Sequence, residues 1–197
     1  MNKTNYDALM SEELRSLQGE KKLLLHSCCA PCSSYCVSEL RDKTKLDVFY
    51  YNPNIDTEAE YQKRLAEEIR FIKEFAPEIR VFEVGYDKDE YLRRVIGKEN
   101  CLEGGARCEI CFRLRLEKTA EFAKNHGYDC FATTLTVSPL KNAEKINRIG
   151  EEVAYRTGVK YIHTDFKKRE GYKKSIELSK KYDLYRQNYC GCEFSKT

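Results

Sequence analysis

The sequence predicts a single doubly wound α/β domain with a five-stranded parallel sheet, helices on both faces and cysteine-rich loops at the carboxyl edge. Three observations carry this expectation. Short apolar runs alternate with longer segments of helical periodicity, the pattern of successive βαβ units. The chain has 197 residues and is 41% hydrophobic, enough to bury one core without disulfide staples. Its cysteine pairs fall where predicted strands run into predicted helices, and in open α/β sheets ligands bind at such loops.

Taken in order, residues 5–17 read as a polar helix with Leu9, Leu14 and Leu17 on one side, so that 1–20 is an accessory segment. Lys22-Leu23-Leu24-Leu25-His26 is an apolar run bounded by charge and by a serine- and cysteine-rich loop, which suits a buried strand. A helix over 32–41 follows. Residues 46–51 form the second strand, Asn52-Pro53-Asn54 a turn, and 57–75 a helix with Leu65, Ile69 and Ile72 spaced for one face. A third strand spans 79–84 and a short helix 88–96. The loop 97–107 contains Gly104-Gly105, and the next helix, 109–124, is ended by Asn125-His126-Gly127. Residues 129–133 are the fourth strand, 142–157 a helix stopped by Gly158, 159–164 the fifth strand and 171–181 the last helix. The tail 182–197 is irregular and closes the cysteine site. No repeat or low-complexity segment interrupts this order.

Lys+Arg 35 against Asp+Glu 32 gives a net charge of only +3, so no global basic field announces nucleic acid, although a local patch can still bind it. The first ten residues lack the charged and apolar regions of a secretory signal, and no apolar run approaches the roughly 18 residues of a membrane span. The expectation is a cytoplasmic protein without a membrane partner. In that reducing compartment ten cysteines read as metal ligands or redox groups more readily than as disulfides.

Seven of the ten fall in three groups: Cys28, Cys29 and Cys32 after the first strand, Cys108 and Cys111 at a helix start, and Cys190 and Cys192 in the tail. Two intervening residues let both thiolates of a CxxC pair turn towards one ion, and helix-start amides favour the thiolate form. Gly191 between the tail thiols permits close approach to a bulky ligand. The bland reading, cysteine as a small buried hydrophobe, suits Cys36, Cys101 and Cys130, which stand apart. A thioredoxin-like pair explains one motif and leaves two. Structural zinc needs only four thiolates, whereas a four-iron cluster on four thiolates leaves three groups for a second metal or for catalysis.

His26 and His163 read as hydrogen-bonded histidines at strand ends rather than ligands. Arg107, Arg113, Arg115 and Arg186 near the thiols are solvated charges or a phosphate-binding rim. Tyr185-Arg186-Gln187-Asn188-Tyr189 suits recognition of an unstacked base nearly as well as it suits packing. Thr133, Thr134 and Ser138 supply hydroxyls after the fourth strand, and Lys141 can reach an anion at the same edge.

Together these motifs resemble the cobalamin-independent epoxyqueuosine reductase family. The match is carried by Leu25-His26-Ser27-Cys28-Cys29-Ala30-Pro31-Cys32, Tyr51-Asn52-Pro53-Asn54-Ile55, Gly105-Ala106-Arg107-Cys108-Glu109-Ile110-Cys111, Thr133-Thr134-Leu135-Thr136-Val137-Ser138-Pro139 and Leu184-Tyr185-Arg186-Gln187-Asn188-Tyr189-Cys190-Gly191-Cys192. The resemblance implies a fold akin to the adenine-nucleotide alpha-hydrolase group, with cysteines where a phosphate loop would stand, so that no ATP is expected. It implies reductive removal of the epoxide oxygen from epoxyqueuosine in a tRNA anticodon loop, at the wobble position, without cobalamin. On this reading the seven grouped thiols hold a [4Fe-4S] cluster, and either a second mononuclear iron or an open iron of the cluster acts as Lewis acid, with electrons from a separate low-potential donor. Arg107, Thr133, Thr134, Ser138, Lys141, Arg186 and Gln187 contact substrate, and Tyr185 and Asp165 are the candidate proton donors. A zinc-stabilised RNA-binding protein without chemistry and a thiol-based tRNA sulfurtransferase are the alternatives.

Overall fold

The computed structural model describes residues 4–17 and 21–195. The outer parts of the accessory segment, 1–3 and 18–20, and the end of the tail, 196–197, lie outside the described residues. The elements run α1 (Tyr6–Ser16), β1 (Lys22–Ser27), α2 (Ala30–Leu40), β2 (Lys45–Tyr50), α3 (Glu58–Phe75), β3 (Val81–Glu83) and α4 (Lys88–Val95). They continue with α5 (Ala106–Asn125), β4 (Cys130–Thr133), α6 (Ala143–Thr157), β5 (Lys160–Tyr161) and α7 (Gly171–Lys181). Among the described residues the five strands are all parallel, in the order β3-β2-β1-β4-β5.

The apolar run of β1 follows from burial on both faces. Leu23 and Leu25 enter one core with α1, α2, α7 and the end of α3. Leu24, pointing the other way, joins the second core with α4, α5 and α6. The expected helices on both faces are present. Since the chain turns outward in one direction from β1 to β3 and in the other from β4 to β5, the carboxyl ends of β1 and β4 flank the topological switch point, where a doubly wound sheet opens a crevice.

Element boundaries depart from the sequence pattern for local reasons. Helix α2 begins at Ala30, with Pro31 in its first turn, where the missing N–H costs nothing. Helix α5 begins at Ala106 behind Gly105, which brings Arg107 and Cys108 into the helix. Strand β5 is only two residues long because the Thr164 backbone is taken by the Asn147 amide of α6, at 3.0 and 2.9 Å. Strand β3 starts late because the Ile79 N–H turns back to the Ala76 carbonyl. On α3 the expected apolar face is altered: Ile69 is exposed, and the fully buried positions include Arg64 and Glu68.

Candidate metal centre and active site

The crevice at the switch point is built from β1, whose end leads into the first thiol group. The Cys28 N–H donates to Thr134 Oγ1 across it at 3.2 Å, and that hydroxyl lies 3.4 Å from the Cys28 sulfur. Below, His26 is fully buried; its Nε2 donates to the Tyr51 carbonyl and its Nδ1 accepts from Thr133 Oγ1. Burial, seconded by the Arg115 charge, pushes the His26 pKa down to about 3, so the imidazole is a neutral brace.

Cys28, Cys29 and Cys32 hold their sulfurs within 4.8 Å of one another, with Cys28 and Cys29 at 4.0 Å. Around one tetrahedral ion with sulfurs at about 2.3 Å, ligands lie about 3.8 Å apart, so this triad has the spacing of a mononuclear site. Hydrogen bonds from the Cys29 and Cys32 thiols hold Cys28 well below the usual thiol range.

The other four grouped thiols surround a separate small chamber of about 20 Å³ lined by Cys108, Cys111, Cys190 and Cys192. Cys108 and Cys111 sit three apart at the start of α5 and so share one face of it. The Gly104 N–H donates to the Cys108 sulfur at 3.2 Å. The tail is clamped over them: the Asp56 N–H donates to the Gly191 carbonyl at 2.8 Å, Lys88 pairs with Glu193 at 2.9 Å and Tyr91 Oη lies 3.0 Å from the Cys192 sulfur. Gly191 has φ +98 and lies against the end of the Arg64 side chain; the backbone conformation is what calls for glycine. Cys190 also lines the larger cavity of about 400 Å³ onto which Cys28, Cys29 and Cys32 open, and thus stands between the two groups.

Two cations complete the electrostatics. Arg115 is 2% exposed and its Nη2 has no hydrogen-bond partner; burial opposes its charge, but the sulfurs of Cys111, Cys190, Cys28 and Cys108 outweigh that and raise its pKa. Lys141 responds in the same way, with burial overcome by Cys190, Cys28 and Cys32. Burial pushes the Cys111 thiol up to about 12 and the Cys108 thiol up as well, and the Cys28 hydrogen bond raises Cys32, so Cys28 is the sulfur whose charge the two cations face directly.

A family model described as epoxyqueuosine reductase QueH matches residues 23–197. This chain belongs to the QueH family. Similar QueH proteins, each named epoxyqueuosine reductase, include one from Streptococcus pyogenes serotype M1, 40% identical over 98% of this chain and 78% of its own length. Another from Staphylococcus epidermidis is 39% identical over 98% and 85%, and one from Thermotoga maritima is 37% identical over 88% and 89%.

Within this QueH fold the residues singled out by sequence are distributed unevenly. Ser138, Lys141, Arg186 and Gln187 line the larger cavity beside the first thiol group. Thr134 braces Cys28, and Thr133 is occupied by His26 and the Leu135 N–H. Arg107 is 1% exposed and donates to the carbonyls of Glu99, Cys101 and Phe194, so it knits the 97–105 loop to the tail instead of forming a rim. Arg113 pairs with Glu152. Tyr185 Oη donates to the Glu60 carboxylate at 3.2 Å, outside the cavity. Asp165 pairs with Lys167 at 2.9 Å in the neighbouring groove. Cys36 and Cys130 are core residues, while Cys101 is half-buried. Three residues not singled out belong to the site's surroundings, Arg64, Glu68 and Tyr91, while Tyr189 of the tail motif lines the larger cavity. A helical pattern with Arg and Glu four apart reads as a solvated ion pair, and nothing in sequence marks that face as inward.

Proposed function

We propose that the protein reduces epoxyqueuosine to queuosine at the wobble position of a tRNA, with a [4Fe-4S] cluster held by Cys108, Cys111, Cys190 and Cys192 and a mononuclear iron held by Cys28, Cys29 and Cys32. The division of seven thiols into a closely spaced triad and a separate set of four is the observation that carries this reading. The buried Arg115 guanidinium among the sulfurs supports it: it donates to the Cys111 carbonyl and to Asn52 Oδ1 but has no carboxylate partner among the described residues and one free Nη2, and a buried cation needs a fixed anionic partner. When bound, the cluster supplies low-potential electrons one at a time and the single iron supplies a Lewis acid.

The chain's own residues then have definite tasks. The cavity of about 400 Å³ is in the size range of small-molecule sites and receives the modified base. Ser138, Arg186 and Gln187 orient it from the rim. Arg115 and Lys141 offset the negative charge of the sulfurs. Reductive loss of the epoxide oxygen breaks both C–O bonds, forms the C=C bond, and consumes two electrons and two protons as the oxygen leaves as water. Lys141 Nζ, half-buried and kept protonated chiefly by the Cys190 and Cys28 sulfurs, holds one proton where the departing oxygen needs it. The second enters from solvent at the open mouth. Phosphate contacts from Arg and Lys position the loop.

Anaerobically purified protein, given a low-potential reductant and tRNA carrying epoxyqueuosine, is expected to yield queuosine on nucleoside analysis. Replacing Cys108, Cys111, Cys190 or Cys192 by Ala should remove acid-labile sulfide. Replacement of Cys28, Cys29 or Cys32 should remove about one iron and leave sulfide in place. Colourless protein with stoichiometric zinc and an intact epoxide would overturn the proposal.

A further inference from the structure

A rigid turn at the cavity mouth carries one apolar side chain into solvent. The Lys141 N–H donates to the Ser138 carbonyl at 3.2 Å, which closes a β-turn with Pro139 second and Leu140 third. Proline pre-sets the backbone of such a turn, and its tip ordinarily carries polar residues or glycine. Leu140 is instead 76% exposed. The turn is held on its far side, where Lys167 Nζ reaches the Lys141 carbonyl at 3.5 Å and Asn142 caps α6.

A solitary exposed leucine is ordinary on a protein surface; its position here is not. Leu140 borders the thiol-lined cavity of about 400 Å³, the small chamber between the four thiols, and a polar groove of about 770 Å³ on the other side. It is therefore the ridge dividing the place where chemistry is proposed from a groove of mixed charge, in which Lys167 pairs with Asp165 and Arg169 with Asp7. Across the chamber, the loop whose Gly104 carbonyl accepts from Lys145 Nζ at 3.2 Å bears a second bare leucine, Leu102, 85% exposed.

A base that must reach sulfur-held metal inside the cavity has to leave its neighbours in the anticodon loop, and the vacated space must be filled by something apolar. We propose that Leu140 is the wedge that fills this space, stacking against the neighbouring base while the modified base occupies the thiol cavity. This inference rests on the tRNA reading given above.

The test uses the iron-loaded full chain and an anticodon stem-loop carrying epoxyqueuosine, with 2-aminopurine as its 3′ neighbour. Binding to the wild type should raise 2-aminopurine fluorescence. Leu140→Ala should bind within about threefold of wild-type affinity, since phosphate contacts dominate it, and lose most of that rise; Leu140→Met should restore it. In turnover, Leu140→Ala should lose at least about tenfold more kcat/KM on the stem-loop than on the isolated epoxyqueuosine nucleotide. No rise with the wild type, or an undiminished rise with Leu140→Ala, overturns the wedge. An equal loss of kcat/KM on both substrates does the same. Failure of the functional reading looks different: the wild type would then leave the epoxide intact on every substrate, whatever the fluorescence does.

Discussion

Glu68 sits behind the first thiol group, fully buried on α3, with its carboxyl facing the Ser33 and Ser27 hydroxyls. Burial pushes its pKa up to about 8, against the pull of the Ser33 and Ser27 hydroxyls. The folded state therefore holds a proton that the unfolded chain releases near pH 4.5, and stability is full below that pH and falls as pH rises towards 8. The slope is about 1.4 kcal/mol per pH unit across that interval. Glu68→Gln keeps the shape without the titration, so in metal-free protein its stability advantage over wild type should widen steadily between pH 5 and pH 8 in denaturant titrations. A constant difference would mean that Glu68 is ionised when folded. The seven grouped cysteines were legible in sequence because their spacing is local. Arg64, Glu68 and Arg115 were not, since a buried charge looks like a surface charge until its neighbours are known.

At the scale of elements, the strands and helices were legible from period and punctuation, as with Leu23, Leu24 and Leu25 in β1 or Gly158 ending α6. Ends set by distant partners, such as Asn147 capturing the Thr164 backbone, were not. The docking of α1 is another such long-range event. Met10 and Leu14 are buried against the core, Arg169 pairs with Asp7 and donates to Ser11, and a second polar latch is His163, whose Nδ1 lies 2.9 Å from Glu13 and whose Nε2 lies 2.7 Å from Glu151. A neutral imidazole carries one N–H and cannot donate to both carboxylates. Burial works against the charge, yet Glu13 and Glu151 prevail and raise the His163 pKa. The latch is thus fully present below about pH 6.5, the unfolded value, and is lost as pH rises through the higher folded value. Amide exchange in α1 should accelerate between pH 6 and pH 9, after correction for intrinsic rates, and Glu13→Gln should flatten that dependence. If exchange keeps the same protection across this range, the His163 ion pairs contribute nothing to docking.

Over the whole molecule, the centre joins parts of the chain that the sheet alone leaves apart. Cys108 and Cys111 belong to the second half-layer through α5, whereas Cys190 and Cys192 lie on a tail that has left α7 on the opposite face. The tail reaches both cores, Leu184 in the first and Cys192 with Phe194 in the second, and its last turn is held by Arg107, Lys88 and Tyr91. A cluster on these four thiols would bind only the folded arrangement, and such a ligand stabilises by mass action, about 4 kcal/mol at a thousandfold excess over its dissociation constant. For a domain of this size that corresponds to a rise in Tm on the order of 10 °C. Removing iron and sulfide by chelation should therefore lower Tm by about that amount and expose the 182–195 segment to protease before the sheet melts. Cys192→Ala should show the same early cleavage even after reconstitution. Equal Tm and equal cleavage with and without iron would mean that the tail thiols hold no shared centre, because a ligand that bridges two segments cannot leave without loosening one of them.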